Sequence, residues 1–406
     1  MELDAFRASL DAWLDSRRDE LAPTYAGAGT LDQKMAQIAK VRRLAFDAGW
    51  ARWGWPERVG GLGGSTLLRA YLSEAITARD LVEPGLYSMP EVLGPSVVSF
   101  ARPELSARVL PPLLRGDDVW CQGFSEPGTG SNLASLTCRA VRVTGAGDSG
   151  AGRRVTGEGA AGAGWRVTGE GAAGAGWRVT GQKVWTSLSQ YARRCVLLTR
   201  TGSAESAHRG ITALLVDMDA PGITIRPIET MDGEQEFSEV FFDDVLVPVD
   251  RTLGEEGQGW AVAMDLLPYE RSTALWQRAA WLHRRLRDLV DAAEPGVLDP
   301  LALGEVTQLV YAFRARSRAT VHRMAAGDQL GPETSIDKVL LATAEQALFD
   351  LAAEALPAEV TTGDDAESAR WRGEFFYSRA ATIYGGTAEI QRNVIARRLL
   401  DLGSDR

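Results

Sequence analysis

The sequence predicts an α+β protein in which an N-terminal α-helical domain, a central β-barrel and a C-terminal four-helix bundle follow one another. Three observations carry this. Apolar residues recur at helical spacing from residue 1 to about 118, short β-prone runs fill 119–250, and the helical period returns from Leu253 to the end.

In the first segment Leu31, Met35, Ile38, Val41 and Ala45 recur every three or four positions. Thr30 with Gln33 forms a capping box, and Gly49 stands where a helix C-cap belongs. A second periodic stretch covers about 65–79, and the Pro111–Pro112 pair is expected to stop a further helix. These elements place the helical domain at 1–118.

Between 119 and 250, CVLLT (195–199), ITALLVDM (211–218) and EVFFDDVLV (239–247) are β-prone runs separated by Gly, Pro and Asp, the pattern of a small barrel. Inside this domain VRVTGAGDSGAG (141–152), RRVTGEGAAGAG (153–164) and WRVTGEGAAGAG (165–176) are tandem units, and WRVTGQKVWTSL (177–188) begins as a fourth. A strand end followed by a Gly/Ala tract is a strand–turn signal, so 141–176 reads as a hairpin insertion lengthened by duplication. It holds 12 of the 43 glycines, which locates much of the glycine surplus. A surface extension without a role of its own is the plain reading, and a flap over the neighbouring site is the functional one. From Leu253 on, Pro295, Pro300, Pro332 and Pro357 separate four or five long helical segments, which make a bundle domain at 251–406.

Composition narrows the function. Hydrophobic residues at 45% and charged residues at 24% are ordinary globular values. Forty-four basic against 54 acidic residues give a net charge of -10, which argues against a protein that grips nucleic acid by neutralising phosphates. Cys121, Cys138 and Cys195 are far apart, and with only three histidines there is no metal-ligand spacing; a reduced, cytoplasmic setting fits. The N-terminus lacks the apolar core of a signal peptide, and no 18 apolar residues run uninterrupted, so a soluble protein is expected.

Three segments carry candidate chemistry. WCQGFSEPGTGS (120–131) is a Gly-rich loop able to turn backbone N–H groups toward one ligand, although a plain Pro-Gly turn would look similar. WRVTGQKVWTS (177–187) is a strand with an indole that can cover a flat ring and hydroxyls that can reach its edge, although a strand Trp is usually core. IYGGTAEIQR (383–392) breaks at Gly-Gly-Thr and opens a final helix, whose N-terminus suits a phosphate or an electron-rich ring.

Together these segments resemble the acyl-CoA dehydrogenase family, in order and spacing, over nearly the whole chain. The family's Thr-Glu-Pro-x-x-Gly-Ser pattern is mirrored by Gln122 to Ser131, with Ser125 at the Thr position, and its Trp-x-Thr by Trp185, Thr186 and Ser187. EVFFDDVLVP (239–248), LGEEGQGWAVAM (253–264) and YGGTAEIQRNVIARRLL (384–400) are similar to further family signatures. The resemblance implies FAD between barrel and bundle, with Gln122, Phe124, Ser125, Gly130, Ser131, Trp185, Thr186, Ser187, Thr387 and Glu389 at the cofactor. It implies Ser131, Arg271 and Gly385 at the substrate, and α,β-dehydrogenation of an acyl thioester by a carboxylate base with hydride transfer to flavin N5.

Many members carry that base as a Glu in a Tyr-Glu-Gly-Thr segment, where this chain has Gly385. The isovaleryl and long-chain branches carry a Glu on an earlier helix just before an Arg, and LPYERS (267–272) is similar to that segment. Glu270 is therefore the candidate base; its plain reading is a solvated helix Glu paired with a neighbouring Arg. Pro268 is expected to kink the segment. The family's Arg-x-x-Phe-Gly sequence for FAD pyrophosphate is absent from LHRRLRDLVDAAEPG (282–296), where Arg284, Arg285 and Arg287 are possible substitutes. The implied partners are an acyl-CoA, an electron-transferring flavoprotein as acceptor, and other chains in a homo- or hetero-tetramer. Alternatives are a dehydrogenase acting on carrier-protein-bound acyl groups, a non-catalytic partner subunit of a heteromeric acyl-CoA dehydrogenase, and an oxygen-using flavoenzyme that no residue specifies.

Overall fold

The computed structural model describes residues 1–25, 27–143 and 175–403. Its N-terminal helices are α1 (Leu3–Ser16), α2 (Arg18–Leu21), α3 (Leu31–Asp47), α4 (Thr66–Ala78), α5 (Pro84–Tyr87), α6 (Met89–Phe100) and α7 (Pro103–Arg115). The capping box forms: the Gln33 N–H donates to Thr30 Oγ1, and the Thr30 N–H donates to Gln33 Oε1. Gly49 follows the α3 cap at φ 88°, the left-handed position that glycine takes past a helix end. The periodic residues Met35, Ile38, Val41 and Ala45 bury against Leu68, Leu72 and Ile76 of α4.

One expectation fails. The Pro111–Pro112 pair lies inside α7, which continues to Arg115 and ends at Gly116 with φ 84°. Leu110, Leu113 and Leu114 are buried around the pair. Burying three leucines at about 1.5–3 kcal/mol each offsets an interior proline's cost of roughly 3 kcal/mol or more. The Pro112 carbonyl also accepts from the N–H groups of Asp117 (2.9 Å) and Asp118 (3.1 Å), so the helix end keeps its bonds.

The strands are β1 (Trp120–Gly123), β2 (Arg139–Val143), β3 (Gly176–Ser187), β4 (Arg194–Arg200), β5 (Ile211–Asp217), β6 (Ile223–Ile228), β7 (Phe237–Pro248) and β8 (Thr252–Leu253). They form one sheet in the order β6-β7-β3-β2-β4-β5-β8, with β1 beside β4. The three β-prone runs fall on β4, β5 and β7. β5 touches β7 although three strands separate them in this order, so the sheet curls around Trp177, Val179, Leu197, Leu214, Val240 and Phe242. All three cysteines are free and buried in this core. β2 and β3 pair antiparallel, Val143 opposite Gly176. Most of the tandem repeat, and with it the flap reading, lies outside the described residues.

The bundle comprises α8 (Gly259–Glu270), α9 (Thr273–Ala292), α10 (Pro300–Ala325), α11 (Thr334–Ala355), α12 (Pro357–Thr361), α13 (Ala366–Arg379) and α14 (Ala388–Arg398). Pro300 and Pro357 take the first helical position, where a missing N–H costs nothing. Leu282, Leu286, Phe313, Leu348, Phe349 and Trp371 form the core shared by α9, α10, α11 and α13. α8 packs instead on α6 and β5. Where Pro268 led to an expected kink, α8 carries the proline to its end at Glu270. The chain then breaks at Ser272 (φ -125°, ψ -88°) before α9 begins. Among the described residues no helix is long and apolar enough to cross a membrane.

Candidate active site

A cleft of about 2480 Å3 is lined by residues of the N-terminal helices, the sheet and the bundle. Its sheet wall includes Gln122, Phe124, Ser125, Gly130 and Ser131 from β1 and the loop after it, and Trp185 and Ser187 from β3. That loop is fixed from beneath. The buried Lys183 Nζ donates to Glu126 Oε1 at 2.8 Å and to the Phe124 carbonyl at 3.0 Å. Glu126 also accepts from the N–H and hydroxyl of Thr137, both at 2.7 Å, and from the Cys138 N–H at 2.8 Å. Burial pushes the Glu126 carboxyl up, but Lys183 and these donors hold it below the ordinary range. The Val184 N–H donates to the Ser125 carbonyl at 3.0 Å and ties β3 to the loop. The β3–β7 ladder is irregular between Lys183 and Thr186, and Trp185 has φ 58°. Such an irregularity re-aims a side chain: the Trp185 indole is 58% exposed, edge-on to Phe237 at 6.1 Å.

Glu270, Arg271, Gly385, Gly386 and Thr387 supply the bundle wall. Gly385 (φ 63°) and Gly386 (φ 88°) are left-handed, and a Cβ on Gly385 would lie 2.7 Å from Glu270 Oε1. The Glu270 carboxylate therefore takes the space that a side chain at 385 would need. Arg271 does not neutralise it by side-on pairing; its Nη2 donates to the Gly385 carbonyl at 3.3 Å. Gln391 Nε2 donates to the carbonyls of Gly385 (3.2 Å) and Gly386 (3.3 Å), and Thr387 caps α14 by accepting from the Ile390 N–H at 3.3 Å. Behind them Lys338 Nζ donates to the Ala381 carbonyl and lies 4.2 Å from the Tyr384 ring centre.

Burial dominates the electrostatics of this wall. It raises the proton affinity of Glu270 above the ordinary carboxylate range, against the opposing pull of Arg271 and Lys338. Burial also lowers Lys338 to about 8, although the carboxylates of Glu345 and Glu270 favour its charged form. A half-buried carboxyl with raised proton affinity, facing a cleft, is suited to general-base work.

Eleven of the residues expected at the site line this one cleft: Gln122, Phe124, Ser125, Gly130, Ser131, Trp185, Ser187, Glu270, Arg271, Gly385 and Thr387. Thr186 and Glu389 do not. Thr186 is 1% exposed, between two residues that line the cleft, as alternation along a strand requires, and Glu389 is exposed on the first turn of α14. Two of the three arginines considered for a phosphate are otherwise engaged. Arg284 pairs with Asp80 (3.3 Å), and the buried Arg285 pairs with Glu374 (2.7 Å) and Asp288 (2.9 Å) while stacking on Trp371. Arg287 is exposed. Sequence reasoning missed Lys183, Lys338 and Gln391. Gln391 stood inside a quoted motif, whereas a single Lys in the run IDKVLLA carries no signal of its own.

The residues present fit a flavin. An exposed indole stands on one wall and a half-buried carboxylate on the other, and Arg271 Nε and Gln391 Oε1, both buried atoms, have no partner among the described residues. A planar polar ring would cover the indole and engage the unpaired Gln391 amide, leaving Glu270 and Arg271 free for a second ligand.

The chain is similar in sequence and in fold to known proteins. Residues 2–117, 154–245 and 257–400 match the acyl-CoA dehydrogenase N-terminal, middle and C-terminal domains. The acyl-CoA dehydrogenase IpdE1 of Mycobacterium tuberculosis is 33% identical over 99% of this chain and 98% of its own length. The mitochondrial short-chain specific acyl-CoA dehydrogenase of Homo sapiens is 28% identical over 85% of this chain and 78% of its own. Among solved structures, the Tcur3481-Tcur3483 steroid ACAD has a TM-score of 0.78 at 24% identity, covering 100% of this chain and 99% of that one. The ChsE4-ChsE5 complex from Mycobacterium tuberculosis has a TM-score of 0.75 at 24% identity and covers both chains fully; these two likenesses speak for the fold alone. With three matched domains spanning most of its length, the chain belongs to the acyl-CoA dehydrogenase family.

Proposed function

We propose that this flavoprotein oxidises an acyl-CoA to its 2-enoyl thioester with Glu270 as the base that takes the α-proton. The observation that carries the assignment is the Glu270 carboxylate in the space left by the bare Gly385, facing the cleft. FAD, when bound, supplies the acceptor for the β-hydride at N5, and an electron-transferring flavoprotein then reoxidises it. Gln122, Phe124, Ser125, Trp185, Ser187 and Thr387 are the residues that would hold the cofactor. Ser131 and Arg271 bind the thioester. The Gly385 N–H, which has no backbone acceptor among the described residues, donates to the thioester carbonyl as negative charge develops there. Glu270→Gln is expected to retain flavin and lose bleaching of its absorbance by acyl-CoA; undiminished bleaching would refute the assignment. Titration with free CoA thioesters against carrier-loaded acyl groups separates the CoA reading from the carrier reading.

A second reading concerns assembly, and the engaged arginines of α9 favour it. With Arg284 and Arg285 held by carboxylates and no Arg-x-x-Phe-Gly sequence, the phosphate end of the cofactor is completed by a different chain in a hetero-oligomer. Protein purified alone is then colourless and takes up flavin when the partner is co-expressed. Full flavin occupancy in a homo-oligomer rejects this reading and leaves the Glu270 assignment standing.

A further inference from the structure

The cleft continues past Glu270. Trp260, Met264 and Leu267 before the helix break, and Ala274, Arg278 and Trp281 after it, line the cleft as a stripe at helical spacing. From Ala274 to Trp281, α9 rises about 10 Å. The stripe is apolar before the break and its character changes beyond it.

Glu83 ahead of α5, Glu236 ahead of β7 and Tyr377 of α13 belong to the lining as well. They converge with the far part of the stripe. The Tyr377 hydroxyl lies 3.8 Å from the position of a Cβ on Gly85, and Arg278 lies 5.3 Å from the Tyr377 ring centre and 3.9 Å from that of Trp281. The cations here are committed: Arg278 to Glu345 (2.8 Å), Arg284 to Asp80 (3.3 Å), Arg370 to Asp80 (2.7 Å) and Lys34 to Glu234 (3.3 Å). Glu83, Glu236 and Tyr377, by contrast, make no side-chain hydrogen bond or ion pair among the described residues. The indole N–H of Trp281, a residue 2% exposed, has no partner either. Burial, reinforced by the Glu83 carboxylate, pushes Glu236 up to about 7, so near neutrality it is available as a donor as well as an acceptor.

We infer that this end of the cleft is a subsite for a neutral oxygen function, a hydroxyl or a ketone, carried on the acyl group remote from the thioester. A distal carboxylate would face Glu83 and Glu236. A neutral hydroxyl or carbonyl instead satisfies the unpaired phenol and carboxyls that a plain chain would leave without partners. The inference rests on the dehydrogenase reading with Glu270 as base.

The test uses the flavin-loaded protein, with its partner chain where flavin uptake requires one. Four acyl-CoAs of about ten carbons, long enough to span the 10 Å of α9, are compared: the plain chain and its distal hydroxy, keto and carboxy derivatives. The hydroxy and keto substrates are expected to exceed the plain chain in kcat/KM by about tenfold or more, with the carboxy derivative below it. Tyr377→Phe and Glu236→Ala each bring the oxygenated-to-plain ratio toward one. Equal kcat/KM for all four, preference for the plain chain, or a ratio that neither variant moves overturns the subsite while leaving the dehydrogenase intact. Oxidation of none of the four removes the dehydrogenase reading and this inference with it.

Discussion

A Cβ at position 385 would meet Oε1 of Glu270, so this wall has room for one carboxylate, supplied from one element or the other. Gly385→Glu alone is expected to lose most activity, because two carboxylates would compete for one place and a side chain would be forced to φ 63°. Adding Glu270→Gly clears the place, and the double variant should recover substrate bleaching above that of Glu270→Gly alone. Equal bleaching in the two would show that position 385 cannot deliver a base. Lys338 tests the electrostatics of the same group. While charged, it favours the ionised form of Glu270, so Lys338→Met should raise the Glu270 pKa further. The acidic limb of the kcat/KM profile then moves to higher pH, and activity falls more at low pH than at high pH. Lys338→Arg should return the limb toward its original position. Glu270 stood out in the sequence as the candidate base because an Arg follows it and position 385 lacks a carboxylate. Lys338 did not, because its importance comes from the close approach of α11 to the Gly-Gly turn, which no local pattern announces.

Among the elements, the loop after β1 depends on a pair of charges buried under the sheet. Removing one partner leaves the other uncompensated, so Lys183→Met is expected to cost about 3–5 kcal/mol in urea unfolding, while Lys183→Met with Glu126→Leu costs less than the single change. A double variant less stable than Lys183→Met would contradict this account. The pair also has a pH signature. The Glu126 carboxyl is held low in the folded state, so its contribution is present above the unfolded-state value and is lost as pH falls through the folded value. Capping and strand patterns were readable at this scale: Thr30 with Gln33, and the runs that became β4, β5 and β7, depend on neighbours in sequence. The Pro111–Pro112 helix was misread because burial of Leu110, Leu113 and Leu114 outweighs a local rule. Thr186, between Trp185 and Ser187, turns away from the cleft because side chains alternate along β3.

For the whole molecule, the order helix, sheet, helix followed from periodicity alone, and the cleft between them followed from motifs on three separate segments. What periodicity could not convey is which chain completes the cofactor site. A ligand at 100 times its dissociation constant stabilises a protein by about 2.7 kcal/mol. If a different chain completes the site, added FAD should therefore raise the melting temperature of the complex with that chain and leave the isolated chain unmoved. An equal rise in both would place the complete cofactor site in this chain or its own oligomer. The tenfold substrate preference proposed above also belongs at this scale, because Glu83, Glu236, Trp281 and Tyr377 come from four distant parts of the sequence.

The break between α8 and α9 bears on how such a site is governed. α8 packs mainly on α6 and β5, whereas α9 packs mainly on α4, α10 and α11, so Glu270 is the last residue of one helix beside a break that leads into a differently packed one. With Glu270 as the proposed base, proton removal is mounted on a joint, and a chain that grips the bundle can then alter its rate without touching either the substrate or the carboxylate.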